Sequence, residues 1–312
     1  MFQIASFEFL NTPEYIDPYI WSLPEDAEPF SMSFKLTGFG DNFFVNNASS
    51  IFWLYALNVL LFLFLYLPIL ATNKKTGRCA SLRTKLEGYF FWNGILRFYI
   101  ETFFDLVLAA ALNVYTADWD SGNSSEKFSN YMSAIVLILS AVIFLICLIY
   151  FSYNFDAFKY DDFKMSTVLD GTRHNTTERR EYAFSWVTYF IFRRLAFVYS
   201  VIFWVDFLWA QIALQIMVSV YAVIYLFYFW PLETPFANLM EVFNECTIVM
   251  LSYCLMCFTQ WVPEVETRHR IGWVFVGVAL TNILVHLTFL TYGSGHHICL
   301  FCKKKHAQKI AK

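Results

Sequence analysis

Between residues 51 and 71 the chain reads IFWLYALNVLLFLFLYLPILA, with no charged side chain anywhere in it. A bilayer's hydrocarbon core is about 30 Å thick, and a helix rising about 1.5 Å per residue needs about 20 apolar residues to cross it. Seven stretches meet this template, at 50–71, 94–115, 131–151, 189–207, 210–230, 239–262 and 271–292. Inside lipid every backbone N–H and C=O must be satisfied within its own segment. The expectation is therefore an all-α, polytopic transmembrane helix bundle of about seven spans, with the lipid bilayer of the plasma membrane or an endomembrane as its principal partner.

Composition agrees: 58% of residues are hydrophobic and only 15% charged, against roughly 25% charged in soluble domains. The net charge of −3 supplies no basic field for nucleic acid, which is excluded as a partner. Lysine and arginine mark orientation instead. Lys74, Lys75, Arg78, Arg83 and Lys85, then Lys159, Lys164, Arg173, Arg179 and Arg180, then Lys303, Lys304, Lys305, Lys309 and Lys312 fall on one side, fifteen against Lys35, Lys127, Arg268 and Arg270 on the other. The positive-inside rule puts the N-terminus outside and the C-terminus in the cytoplasm.

The domain plan that follows is an extracytoplasmic N-terminal arm at 1–49, a bundle at 50–293 with a charged cytoplasmic linker at 153–182, and a basic cytoplasmic tail at 294–312. The arm shows no signal peptide. Two sequons fall outside, Asn47-Ala-Ser and Asn123-Ser-Ser, and are the expected glycosylation sites; Asn175-Thr-Thr falls inside. Seven cysteines lie in apolar runs or beside basic segments, with no disulfide framework in their spacing. Cys299 and Cys302, next to the tail's lysines, suit reversible acylation. Their C-x-x-C spacing is also a zinc half-site, but the rest of such a site is missing and no metal is expected.

The informative residues are the ionisable and polar ones inside spans. In LRFYIETFFDLVL, Arg97, Glu101 and Asp105 recur every four residues and share one helix face over about 12 Å. Charges facing acyl chains are costly, so this stripe is expected to turn toward the bundle or a hydrated cavity. One reading is an ion-paired seam, with Arg97 neutralising Glu101 and Asp105 meeting Arg193 or Arg194 of the fourth span; the other is an ion pathway. Arg193 and Arg194 also lie near enough to the span's start to snorkel to phosphate headgroups. In PLETPFANLMEVFNE two prolines break the chain before Asn238, Glu241, Asn244 and Glu245 recur at helical spacing, a polar helix mouth able to attract cations. Asn282 and His286, four apart in the last span, can hydrogen-bond each other or a neighbouring helix. Gln211 and Gln215 are read as interhelical contacts.

Catalytic signatures are absent: no Gly-rich phosphate loop, no G-x-S-x-G and no H-E-x-x-H. Neither an enzyme nor a cofactor is expected. A seven-span receptor is disfavoured, because no Asp-Arg-Tyr ends the third span, where FSYNFDAF stands, and no Asn-Pro-x-x-Tyr occurs in the seventh.

GYFFWNGILRFYIETFFDL, YFIFRRLAFVYS followed by Gln211, PFANLMEVFNECTIVMLSYCLMCFTQWV and RHRIGWVFVGVALTNILVHL, over roughly residues 85–290, resemble the C-terminal membrane region of transient-receptor-potential-like proteins, the ciliate surface proteins ending in such a region above all. The resemblance implies a helical channel-type bundle, oligomeric or part of a larger membrane assembly, passing cations. Two departures stand out. The large ectodomain of those proteins is missing, and the outer connection PEVETRHR is too short for the pore helix and filter of tetrameric channels. An ion path through this chain would run between helices, past Glu101, Asp105, Glu241 and Glu245. A non-conducting scaffold is the alternative.

Overall fold

A computed structural model describes residues 30–36, 39–71, 82–83, 86–87, 94–120, 123–153, 171–173, 177–259 and 261–310. Most of the arm, most of the 153–182 linker with Asn175, and the basic run at 72–81 lie outside the described residues. The described residues are helical: α1 (Met32–Leu36), α2 (Phe44–Asn47), α3 (Ser49–Leu61), α4 (Leu67–Ala71), α5 (Gly94–Thr116), α6 (Ser124–Tyr153), α7 (Thr177–Phe203), α8 (Leu208–Phe229), α9 (Pro235–Cys257) and α10 (Val265–Ile310). Six helical segments among them are long and apolar enough to cross a bilayer: Ser49–Leu70, Arg97–Thr116, Ser185–Phe203, Leu208–Phe229, Pro235–Cys257 and Val265–Thr291. This is a multi-pass membrane protein. The span expected at 131–151 falls within α6, a 30-residue helix part of whose side chains lie outside the described residues.

Local chemistry explains where these helices stop and bend. Between α3 and α4 the chain widens into a π-helical turn, Phe62–Tyr66. Pro68 follows it, and a proline inside a helix lacks one N–H and crowds the carbonyl four residues back, which a widened turn accommodates. α9 begins four residues before the apolar run suggests, because the Thr234 hydroxyl accepts from Ala237 N–H at 3.0 Å with Pro235 in the first turn. It ends at Cys257, short of the expected 262; Pro263 disfavours helix at the residue before it.

The chain forms two compact units, Met1–Val205 and Asp206–Lys312. In the first, α5 is the central rod. Half of its span is buried, against 6% of the span that begins at Ser49, because Leu106 to Leu112 read LVLAAAL and are buried without a break. A helix apolar on every side packs on every side, and three consecutive alanines let neighbours approach closely. One side of α5, with Phe103, Val107, Leu108, Ala111 and Leu112, meets Val198 and Ile202 of α7. The other side, Leu106, Ala109 and Ala110, meets Phe44 and Ala48 at the start of the chain's first span, with Met132, Val136 and Leu137 of α6 packed against them. The arm is thus not wholly peripheral: Phe44 and Val45 are buried against this unit.

In the second unit α9 packs against both α8 and α10. α8 ends on Trp230 in the left-handed region, φ 47° and ψ 61°, a conformation that costs a non-glycine residue about 1–2 kcal/mol. Two features hold it there. Its N–H still reaches Leu226 O and its indole Nε1–H donates to Phe227 O at 2.9 Å, while Pro231 behind it is fully buried.

Candidate functional site

The charged stripe of α5 resolves into pairs. Arg97 Nε donates to Glu101 Oε1 at 3.0 Å, with the two side chains 65% and 46% exposed. The pair therefore lies on the surface of its unit, and the expected inward turn is not what this geometry gives for Arg97 and Glu101. Neutralisation along the helix replaces burial: an i, i+4 pair adds about 0.5 kcal/mol in water, but within a span it spares each charge the several kcal/mol of facing acyl chains alone. Asp105, the third residue of the stripe, is exposed as well and interacts electrostatically with Arg194 of α7. That guanidinium donates from Nη1 to the Ile100 carbonyl at 2.8 Å and lies 4.2 Å above the Phe190 ring, so one arginine joins α7 to α5 by hydrogen bond and charge together. Arg193 is half-buried.

The polar mouth of α9 divides into different roles. Asn238 is buried, and its amide closes on the loop before the helix: Oδ1 accepts from Leu232 N–H at 3.0 Å, and Nδ2 donates to Leu232 O and Thr234 O, both at 2.9 Å. Three of the amide's four hydrogen-bonding positions are thereby filled by backbone. Glu241 is half-buried. Asn244 accepts through Oδ1 from Asn282 Nδ2 of α10 at 3.3 Å, so two residues singled out separately in the sequence meet across a helix pair. His286, one turn beyond, is exposed. Glu245 is fully buried, 0% exposed, in the middle of a span. Gln215, expected between helices, donates within its own helix to Ser219 at 3.4 Å.

The most connected polar site was not anticipated from the sequence. At one end of the α5–α6 hairpin, Asn113 Oδ1 accepts from Phe44 N–H at 3.0 Å and from the Ser129 hydroxyl at 2.6 Å, while its Nδ2 donates to Asn130 Oδ1 at 2.8 Å. Asn130 Nδ2 continues to Asp118 O at 2.9 Å, and Val45 N–H reaches Ser129 Oγ at 3.5 Å. Asn113, Ser129 and Asn130 are all buried. Next to this network Asp41 holds the turn that leads into α2: its carboxylate accepts from Phe43 N–H at 2.8 Å and from Asn46 Nδ2 at 2.6 Å, and its carbonyl accepts from Asn47 Nδ2 at 2.9 Å.

Of the expected modification sites, Asn47 therefore sits on a helix with its amide nitrogen engaged, whereas Asn123 lies just before α6 and caps it, Oδ1 accepting from Ser125 N–H at 3.1 Å and Nδ2 donating to Glu126 Oε1 at 3.5 Å. The side chains of Cys299 and Cys302 lie outside the described residues. Cys246, Cys254 and Cys257 are free thiols, and no group of three metal-ligating side chains comes together among the described residues.

The chain matches no protein-family profile, no curated protein and no solved structure. Its functional reading accordingly stands on the arrangement of these side chains.

Proposed function

We propose that the protein is a channel-related subunit of a larger membrane assembly, non-enzymatic, whose intramembrane polar groups lock helices together. One observation carries this reading. Groups that an ion pathway would leave facing water are engaged with protein partners: Arg97 with Glu101 along α5, Arg194 with Ile100 O from α7 to α5, Asn238 with its loop, and Asn244 with Asn282 from α9 to α10. The transient-receptor-potential-like stretches fit a bundle of this kind, with further copies or other subunits as partners. α6 supplies the seventh crossing in this reading. It runs back along α5 from a short connection, with Ser129 and Asn130 level with Asn113; seven crossings put the termini on opposite sides, and the lysine and arginine distribution favours N-out and C-in.

A second reading, cation conduction, is favoured by Glu245. A carboxylate with no exposed surface in the middle of a span carries a desolvation penalty of several kcal/mol when ionised, and intramembrane carboxylates of this kind mark ion paths by default. One experiment separates the two. The purified chain is reconstituted in vesicles, cation flux is followed with an entrapped indicator, and the size of the detergent-solubilised assembly is measured in parallel. The subunit reading expects no flux from the chain alone and loss of the assembled species in Arg97→Leu. Flux from the wild type that Glu245→Gln abolishes overturns it in favour of conduction.

A further inference from the structure

Gly272 leaves a gap on the first turns of α10. Phe258, at the end of α9, comes within 4.0 Å of where a Cβ would stand there. Around the gap, Phe258, Val265, Arg268, His269, Trp273 and Val276 wall an open concavity of about 640 Å3. Its lining is apolar apart from two bases, and one of them is unusual.

Arg83, Arg97 and Arg270 each pair with a glutamate one turn away, and Arg194 donates to a backbone carbonyl. Arg268, in contrast, has a buried Nε that donates to nothing among the described residues. The neighbouring carboxylates are engaged elsewhere: Glu264 accepts from the Thr267 hydroxyl at 2.6 Å, and Glu266 holds Arg270 at 3.1 Å. His269 Nε2 accepts from Trp273 Nε1–H at 3.2 Å, a contact that assigns the imidazole proton to Nδ1. Arg268 is half-buried; a buried Nε–H without an acceptor is unfavourable, and the planar fork of the guanidinium matches phosphate oxygens.

Position and walls identify the source of that phosphate. The concavity opens at the end of a span, Val265–Thr291, none of which is buried inside the protein, and tryptophan is enriched where span ends meet headgroups. Below Arg268 the surface stays apolar, with Trp273 68%, Val274 56% and Val276 44% exposed, a track for an acyl chain. We propose that this concavity binds an anionic phospholipid, its phosphate on Arg268 and its acyl chain along Val276. The site is independent of whether the protein conducts ions.

The test uses the purified full chain in mixed micelles holding phosphatidylcholine and phosphatidylglycerol, with retained lipid counted by native mass spectrometry. Arg268→Gln is expected to lower phosphatidylglycerol retention roughly tenfold, as befits a lost charge-assisted contact, and Arg268→Lys to restore part of it. Arg270→Gln, which removes an exposed and already paired charge, is expected to leave retention within about twofold of the wild type. Gly272→Leu keeps every charge and fills the concavity, and is expected to match the Arg268→Gln loss. Excess inorganic phosphate is expected to displace nothing. Wild-type retention in both Arg268→Gln and Gly272→Leu, equal losses from Arg268→Gln and Arg270→Gln, or displacement by inorganic phosphate each overturns the proposal; where Arg268→Gln does not fold, Gly272→Leu and Arg268→Lys decide it.

Discussion

Replacing Asn113 by alanine isolates the polar node that ties the arm to the α5–α6 hairpin. Three contacts go at once: the acceptor for Phe44 N–H at 3.0 Å, the acceptor for the Ser129 hydroxyl at 2.6 Å and the donor to Asn130 Oδ1 at 2.8 Å. They are not equivalent. The Ser129 hydroxyl can rotate onto a carbonyl one turn back in its own helix, as serines in helices do, so its loss is small. Phe44 N–H has no such freedom, because Phe44 is fully buried and its amide is fixed by the backbone. A buried donor stripped of its acceptor costs about 1–3 kcal/mol, and the vacated amide volume and the bare Asn130 oxygen add to that. The expected destabilisation is about 2–4 kcal/mol, well above the average of about 0.6 kcal/mol for hydrogen bonds between membrane helices, because one partner is backbone with no alternative. The measurement is equilibrium unfolding in mixed micelles of rising SDS content, for Asn113→Ala, Ser129→Ala and the double variant. Coupling of about 0.5 kcal/mol or more between the two sites is expected for groups in direct contact. A loss below about 0.5 kcal/mol for Asn113→Ala, or strict additivity with Ser129→Ala, refutes the claim that this amide organises the hairpin end.

Asn238→Ala removes the clamp on the α8–α9 loop and is expected to lower stability by about 2–3 kcal/mol, with faster proteolysis after Trp230. Asn238→Asp keeps the acceptor for Leu232 N–H and is expected to lose less. Glycan attachment is expected at Asn123 and not at Asn47, which lies between the buried Val45 and Ala48 just before the first span; a gel-mobility shift on deglycosylation should vanish in Asn123→Gln and persist in Asn47→Gln. If α6 crosses the bilayer, single cysteines at Ser121 and Ser166, in a chain whose seven native cysteines are replaced by serine, will label from opposite sides with an impermeant maleimide; labelling from one side removes the seventh span.

Six of the seven expected spans were legible because apolar length needs no knowledge of neighbours: a run such as residues 51–71 admits few fates whatever surrounds it. Boundaries were legible less well, and for local reasons. The start of α9 moved to Pro235 and its end to Cys257 because capping by Thr234 and the constraint ahead of Pro263 outrank the apolar count. Arg97 and Glu101 were readable as a pair because both lie on one helix at i, i+4, where geometry is set by the chain itself. Their facing was not: which way a stripe turns depends on what packs beside it. Asn238 was misread as part of an open mouth because its partners lie upstream, in a loop whose shape depends on a left-handed Trp230 that no propensity favours.

The Asn113 network shows where a further rule would have helped. Its contacts join residues 69, 17 and 16 apart in sequence, separations that helical periodicity cannot relate. Yet a hairpin has a mirror. Folding α5 and α6 back about the connection between them sets level any two residues equidistant from it, and Asn113 stands eight before Ser121 while Ser129 stands eight after it. Polar residues at matching distances from a short interhelical loop therefore predict contact across the hairpin in the way that i, i+4 spacing predicts contact along a helix. The arm's share of the network has no such rule, since Phe44 reaches Asn113 through a backbone N–H that every residue type carries. Ser133 tests the limit of the mirror: eight places before and after Ser121 are joined by side chains, whereas Ser133, one turn deeper on α6 and opposite Ala109, turns its hydroxyl to Asn130 O at 2.8 Å instead. By the same count Ser133 is level with an alanine, which offers no side-chain partner, so the mirror predicts that polar groups pair across this hairpin where both helices present one and fold back where only one does.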